Sequence, residues 1–291
     1  MIQQTIYISE ELTQKMEAYF CEIEQSPWVI YSDKIKKDHR LIGYFQTEEE
    51  QISCIQAIRE DFELPKETLL KKLKDQDWKE SYKKHFKAWS QSNLHWVPNW
   101  EKDSYPLPEG HKMLLIDPGM AFGTGNHPTT RLCVQTILEA AEEWKNDLNN
   151  KTMIDAGCGS GILALSAALL GFKKLEAFDN DPDAIRISEE NANFNHLSGA
   201  IQFRTKSLDC LWELEKVDLL IANIQSNVLI AFSKEILNSL KSSSILCLSG
   251  ILASEKEKVL AHYRAELIKR NLSHKTIVRE MEEWVSITFK N

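Results

Sequence analysis

The residues best suited to chemistry fall in one short run. Thr152-Met153-Ile154-Asp155 reads as a buried strand and leads into Ala156-Gly157-Cys158-Gly159-Ser160-Gly161. Ile162-Leu163-Ala164-Leu165 then opens a helix. Glycines are needed where a backbone turns tightly and a ligand must approach with no Cβ in the way. In an open parallel sheet that place lies beyond the carboxyl ends of the strands. A dinucleotide fingerprint would read G-x-G-x-x-G, but the sixth position counted from Gly157 is Ile162. A pyrophosphate also wants positive charge near a helix start, and Ser160 to Leu170 holds neither Lys nor Arg. S-adenosylmethionine (SAM) has no phosphate and carries a sulfonium cation, so the loop suits it better. Asp155 is placed to meet the amino group of such a cofactor. Asp179, in Phe178-Asp179-Asn180-Asp181-Pro182, follows Gly157 by 22 residues. That is the place of an acid that accepts hydrogen bonds from both ribose hydroxyls. An acid at a strand end is common alone; with the loop it predicts SAM, held by Asp155, Gly157, Gly159, Gly161 and Asp179.

Two further segments flank this run. Upstream, Asp117-Pro118-Gly119-Met120-Ala121-Phe122-Gly123-Thr124-Gly125-Asn126-His127-Pro128-Thr129-Thr130 leads into a helix. Pro128 suits the first helical position, with Thr129 and Thr130 in the first turn. Its glycines, Phe and hydroxyls predict a cover over the ligand, with Phe122, Gly123, Thr124 and Thr130 as contacts; a plain tight turn is the alternative. His127 is a candidate base, although an isolated His is more often structural. Downstream, Ala222-Asn223-Ile224-Gln225-Ser226-Asn227 ends a strand. Asn223 resembles, in its place after the strand, the side-chain amide that amino-group methyltransferases set facing the sulfonium methyl. Its carbonyl, with the Ile224 backbone carbonyl, can accept hydrogen bonds from a substrate amine and aim the nitrogen lone pair, which is catalysis by positioning. The alternative is an Asn that caps the next helix.

The elements that must position these residues follow from the apolar periodicity. Gln3 to Ile8 reads as a strand and Glu10 to Ile23 as a helix. Pro27 to Tyr31 and Leu41 to Gln46 read as strands. Glu48 to Phe62 reads as a helix with a stripe of Ile52, Ile55 and Ile58, and Thr68 to Leu73 as a last strand. This βαββαβ order predicts a small ferredoxin-like domain over 1–73. Trp78, Tyr82 and Phe86 share one face of a connecting helix within 74–92, and Asn93 to Pro108 reads as a loop or irregular edge strand. Thereafter strands are expected at Met113 to Ile116, Thr152 to Asp155, Leu175 to Asp179, Ile201 to Arg204, Val217 to Ala222, Ser244 to Ser249, Lys275 to Glu280 and Trp284 to Phe289. Helices between most of them include Gly161 to Leu170, Ala184 to Asn195 and Val228 to Leu240. Such alternation predicts an α/β domain over 93–291, a largely parallel sheet covered on both faces, with its last two strands an antiparallel hairpin.

Composition sets the outer bounds. At 291 residues and 43% hydrophobic content the chain suits two domains with real cores. A net charge of -8 argues against a protein that coats nucleic acid, since phosphate binding needs clustered Lys and Arg. The acidic balance suits a basic partner, or simply solubility. Six scattered cysteines form no CxxC pair and no zinc-spaced cluster with His, so reduced thiols and no metal are expected. The N-terminus lacks a signal-peptide pattern, and no apolar run approaches the ~20 residues of a membrane span. The expectation is a cytoplasmic protein.

Taken in order, DPGMAFGTGNHPTTRLC, IDAGCGSGILAL, AFDNDPDAI and ANI closely resemble the PrmA family, the bacterial methyltransferases that act on the eleventh protein of the large ribosomal subunit. The likeness extends to Asp77-Trp78, to LSGILASE (Leu248 to Glu255) and to the ending Glu283-Trp284-Val285-Ser286-Ile287-Thr288. It implies a ferredoxin-like substrate-recognition domain ahead of a seven-stranded, Rossmann-like SAM-binding domain. Thr130, Gly157, Asp179 and Asn223 match cofactor-contacting positions of the family. The implied chemistry is methylation of lysine ε-amines and an N-terminal α-amine on a basic ribosomal protein, without direct nucleic-acid or membrane binding. Asn227-Val228 departs from the family's run of small residues to a Pro, and Asn126 stands where Thr is usual. A different protein substrate therefore stays open, as do a small-molecule methyltransferase and a non-enzymatic SAM-binding protein; a dedicated front domain favours a macromolecular substrate.

Overall fold

The computed structural model describes residues 2–20, 26–33, 38–72, 87–117 and 127–290. The chain divides into two compact units, Met1–Ser81 and Tyr82–Asn291.

In the first unit, β1 (Ile2–Tyr7), α1 (Glu10–Phe20), β2 (Trp28–Asp33), β3 (Asp38–Phe45), α2 (Glu48–Asp61) and β4 (Leu69–Lys72) follow the expected βαββαβ order. The sheet runs β2-β3-β1-β4, every neighbour antiparallel. Alternate residues of β1 point inward, and Ile6 joins Met16, Trp28, Leu41, Phe45, Ile55 and Ile58 in one core. Ile52, expected in the α2 stripe, is 51% exposed instead. Gln51 takes the buried place, donating from Nε2 to Gln4 Oε1 at 2.7 Å. At about 100° per residue, positions 51, 55 and 58 lie nearer one line than 52, 55 and 58 do. Periodicity read on apolar residues alone therefore chose the wrong member. Of the expected connecting helix over 74–92, residues 74–86, with Trp78, Tyr82 and Phe86, lie outside the described residues. Trp89–Gln91 forms a strand, not helix, because Trp89 pairs and stacks with Trp96.

The second unit contains two sheets among its described residues. β5 (Trp89–Gln91), β6 (Leu94–Pro98) and β7 (Lys112–Ile116) form the smaller. Two expectations are corrected here. Asn93 to Pro108 contains a fully buried strand, β6, because Trp96 stacks on Trp89 at 3.9 Å and donates its indole N–H to Ser166 Oγ at 2.9 Å. β7 pairs in parallel with β6 and stays out of the main sheet.

After α3 (Pro128–Glu143) come β8 (Thr152–Ala156), α4 (Ile162–Leu170), β9 (Lys174–Asp179), α5 (Pro182–Phe194), β10 (Gln202–Thr205) and β11 (Val217–Asn223). Then follow α6 (Ser226–Ala231), α7 (Ser233–Asn238), β12 (Leu240–Leu252), α8 (Lys256–Lys269), β13 (Lys275–Met281) and β14 (Trp284–Lys290). The single helix expected over Val228 to Leu240 is thus two short ones, interrupted at Phe232 (φ −102°, ψ 21°), and Leu240 already belongs to β12. The sheet order is β10-β9-β8-β11-β12-β14-β13. The first five strands are parallel, and β14 runs antiparallel to both its neighbours. Apolar clusters occupy both faces, led by Leu219 and Ile221 on one and Leu220 and Ala222 on the other. The chain leaves β8 outward through β9 and β10, then returns to β11 on β8's other side. This order opens a crevice beyond the ends of β8 and β11, the usual ligand position in such sheets. No helix among the described residues is long and apolar enough to cross a membrane.

Candidate functional site

The glycine loop leaves β8 into that crevice. Gly157, Gly159 and Gly161 all have positive φ (74°, 54° and 76°). A Cβ on Gly157 would stand 2.5 Å from Ile224 Cγ2, so only glycine lets the ends of β8 and β11 come this close. The N–H groups of Gly157 and Cys158 both donate to the Phe178 carbonyl (2.9 and 3.0 Å), tying the loop to the end of β9. There the Asp179 carboxylate accepts from the Gly159 N–H at 2.9 Å through Oδ2 and from the Asp181 N–H at 3.1 Å through Oδ1. Asp181 in turn caps α5 ahead of Pro182.

Asp155 is fully buried behind the loop. Its Oδ2 accepts from the Ala164 N–H at 3.0 Å in the first turn of α4, where the helix dipole favours an anion. Burial nonetheless pushes its pKa up to about 7, with the Asp179 charge adding to the rise and the Ala164 bond opposing it. Asp155 Oδ1 has no hydrogen-bonding partner among the described residues. The same holds for two other buried oxygens, Thr130 Oγ1 and Asn223 Oδ1. Buried polar atoms are rarely left unpaired, and of these three Thr130 and Asn223 belong to residues that line one cavity.

A cavity of about 670 Å³ joins these segments. Its walls include Thr130, Gly157, Gly159, Asp179 and Asn223 among the expected residues, and Phe178, Leu208, Val228 and Ile162 as apolar surface. Asp155 and Gly161 stand behind the wall. Phe122, Gly123 and Thr124 lie outside the described residues. Asn223 does not cap the following helix: that place belongs to Gln225, which makes no side-chain cap bond. His127 lines the cavity as the N-cap of α3, its Nδ1 meeting the Thr129 hydroxyl at 2.7 Å and the Thr129 N–H at 3.4 Å. Its ring packs edge-on against Trp284 at 4.7 Å. Burial lowers its pKa, against the raising charges of Glu283 and Glu282, so the ring is neutral near pH 7.

Several wall residues carried no assignment in the sequence. Lys206, Ser207 and Leu208 follow the exposed strand β10 and have no motif to mark them. Trp284 reaches the wall from β14 because the sheet order brings β14 beside β12. Gly250, one residue past the strand expected over Ser244 to Ser249, lies within β12 in the structure, where a glycine often marks a close backbone approach. The cationic residue among the described wall residues, Lys206, is paired with Glu213. The wall thus offers hydroxyl, amide and carboxylate oxygens with apolar surface, a set that fits SAM's ribose, amino group and adenine. Among the described residues no group of three metal-binding side chains occurs.

Comparison with known proteins agrees with this geometry. The chain is 37% identical over 218 residues to a ribosomal protein L11 methyltransferase of Alkaliphilus metalliredigens, covering 74% of this chain and 64% of that protein. It is 34% identical over 219 residues to one of Bacillus cereus, covering 75% and 66%. The aligned stretch therefore spans a little under two thirds of each relative. A crystal structure of ribosomal protein L11 methylase from Lactobacillus delbrueckii subsp. bulgaricus superposes with a TM-score of 0.61 at 28% identity, covering 71% of this chain and 99% of that one. The profile of the family described as "Ribosomal protein L11 methyltransferase (PrmA)" matches residues 3–291, and the chain belongs to this family of SAM-dependent methyltransferases.

Proposed function

We propose that this chain transfers methyl groups from SAM to amines of ribosomal protein L11, at lysine ε-amino groups and the N-terminal α-amino group. The observation that carries this reading is Asn223, whose buried Oδ1 stands unpaired at the cavity wall where β11 ends. When bound, SAM supplies an electrophilic methyl group on its sulfonium. Asp179 accepts from the ribose hydroxyls, Thr130 pairs its hydroxyl with the cofactor, and Asp155 offers negative charge behind the loop. Gly157 and Gly159 keep the approach free of side chains, and Gly161 lets the back of the loop sit against Ser188. Phe122, Gly123 and Thr124, in the loop expected from its glycines, Phe and hydroxyls to cover the ligand, complete the contacts. Asn223 Oδ1 and the Ile224 carbonyl accept the amine N–H groups, so that the nitrogen lone pair faces the methyl group. We assign His127 to capping α3 and walling the cavity, and the Met1–Ser81 unit to recognising the protein substrate. The cytoplasm, where ribosomal proteins are made, is the proposed site of action.

A second reading keeps the chemistry and changes the protein that receives it. Val228, one of the residues that departs from the family pattern, lines the cavity itself. Incubation of the protein with labelled SAM and ribosomal proteins of its own organism separates the two. Label on L11 alone supports the first reading; label on another protein supports the second, and no transfer to any protein rejects both.

A further inference from the structure

Helix α5 carries a polar stripe on a buried face. Ser188, Asn191 and Asn195, spaced i, i+3 and i+7, fall on one side of the helix, and Ser188 and Asn191 are both fully buried. Toward the glycine loop, Ser188 Oγ donates to the Gly159 carbonyl at 2.8 Å and Asn191 Nδ2 to the Ser160 carbonyl at 2.9 Å. Toward β7, Asn191 Oδ1 accepts from the Asp117 N–H at 2.8 Å. Asn195 Oδ1 accepts from the Leu115 N–H at 2.7 Å, and its Nδ2 donates to the Leu115 carbonyl, also at 2.7 Å. The two amides thus stand in for a neighbouring strand along the edge of β7 that β6 leaves unpaired.

Asn191 differs from Asn195 in one respect: its single amide holds both β7's end and the glycine loop. The bond it makes to Ser160 sits one residue before Gly161, where a Cβ would come 2.9 Å from Ser188 Oγ. The back of the loop is therefore moulded on α5, and the front, with Gly157 and Gly159, is what the cavity sees. We propose that Asn191, seconded by Ser188, is a positioning residue for the cofactor, setting the loop's carbonyls away from the cavity and fixing the loop against Asp117. This rests on the SAM reading given above. An amide is required because the two neighbours differ in kind: one main-chain acceptor and one main-chain donor.

The test is equilibrium binding of S-adenosylhomocysteine (SAH) to the full chain, with steady-state kinetics and thermal midpoints alongside. Asn191→Asp keeps the acceptor for Asp117 but sets a carboxylate oxygen against the Ser160 carbonyl; it should weaken SAH by about tenfold or more. The KM for the protein substrate, and kcat at saturating SAM, should move by much less. Asn195→Ala, which touches β7 and not the loop, should lower the thermal midpoint and leave SAH affinity alone. Equal SAH affinity in wild type and Asn191→Asp would overturn the proposal. Where Asn191→Asp does not fold, Ser188→Ala decides in its place, with unchanged SAH affinity as the overturning result. Failure of the wild-type protein to bind SAH would instead reject the functional reading beneath it.

Discussion

Gly250 presses its backbone against the carbonyl of Ile224: a Cβ there would lie 2.4 Å from that oxygen and 2.8 Å from its carbon. Gly250 also has φ +81°, in the left-handed region. Strand β12 thereby reaches the two residues proposed to hold the substrate amine, Asn223 and Ile224. Gly250→Ala should cost about 1–2 kcal/mol from backbone conformation alone. Because the Ile224 carbonyl must also shift, kcat should fall by about 10²-fold, the scale of a 1 Å misplacement. Denaturant unfolding and turnover of the same variant check both figures. Loss of stability with full kcat would show that Ile224 is not part of the chemistry.

Asn223→Ala tests the acceptor itself. Removal of its carbonyl takes away an interaction made with the substrate nitrogen, so kcat should drop by about 10²-fold, while SAH binding, spread over the rest of the cavity, falls far less. Isothermal titration with SAH and single-turnover methylation give the two numbers. Equal losses in both would make Asn223 a cofactor contact only. No loss in either would remove Asn223 from both the chemistry and the cofactor site.

The cofactor half of this site was readable in the sequence because backbone geometry dictates it. A loop whose three glycines all take positive φ has few other residue choices, and Asp179 follows from the length of one helix and one strand. Asp155 was readable as chemistry but not as geometry. The sequence placed it beside the cofactor, whereas the fold places it behind the wall with a raised pKa, a consequence of burial by residues far along the chain. Ser207, Leu208 and Trp284 were not readable, since their place depends on sheet order and no local pattern encodes that order. The same limit explains β6: its burial comes from Trp96 meeting Trp89 and Ser166, a long-range packing event in a stretch whose Pro and Asn content suggests a loop. Likewise Ser188 and Asn191 look like ordinary polar residues of an amphipathic helix until the carbonyls that they serve are seen.

Asp155 should make cofactor binding and stability depend on pH. Its folded-state pKa of about 7 lies above the ordinary 3.8, so the folded protein holds a proton that the unfolded chain has released between those values. Stability from this group is present in full below about pH 4 and is lost as pH rises toward 7, because there the folded state binds more protons. Binding of the cationic SAM favours the carboxylate and lowers that pKa. Titrations at pH 6 in buffers of differing ionisation enthalpy should therefore show release of a fraction of a proton with SAM and less with SAH. Asp155→Asn should abolish the release. A buffer-independent heat in the wild type would contradict the assigned role.

The pH dependence of the methyl transfer itself identifies what deprotonates the substrate. At pH 7 only about one lysine in 2,500 is neutral, an offset of roughly 4.6 kcal/mol, whereas an α-amine near pKa 8 loses about 1.4 kcal/mol. His127 meets Thr129 through Nδ1 and caps α3, the structural role proposed for it above. With positioning and desolvation in charge, the single-turnover rate on a lysine should climb about tenfold per pH unit across pH 6 to 9. The rate on an α-amine should level off near pH 8. His127→Asn keeps a side chain well suited to the N-cap and should leave both profiles in place. If His127 were the base, that variant would lose an ascending limb below pH 7 in the wild-type profile, where its depressed pKa lies. A flat lysine profile in the wild type would mean that the bound lysine is already neutral at pH 6 and would overturn the expected climb.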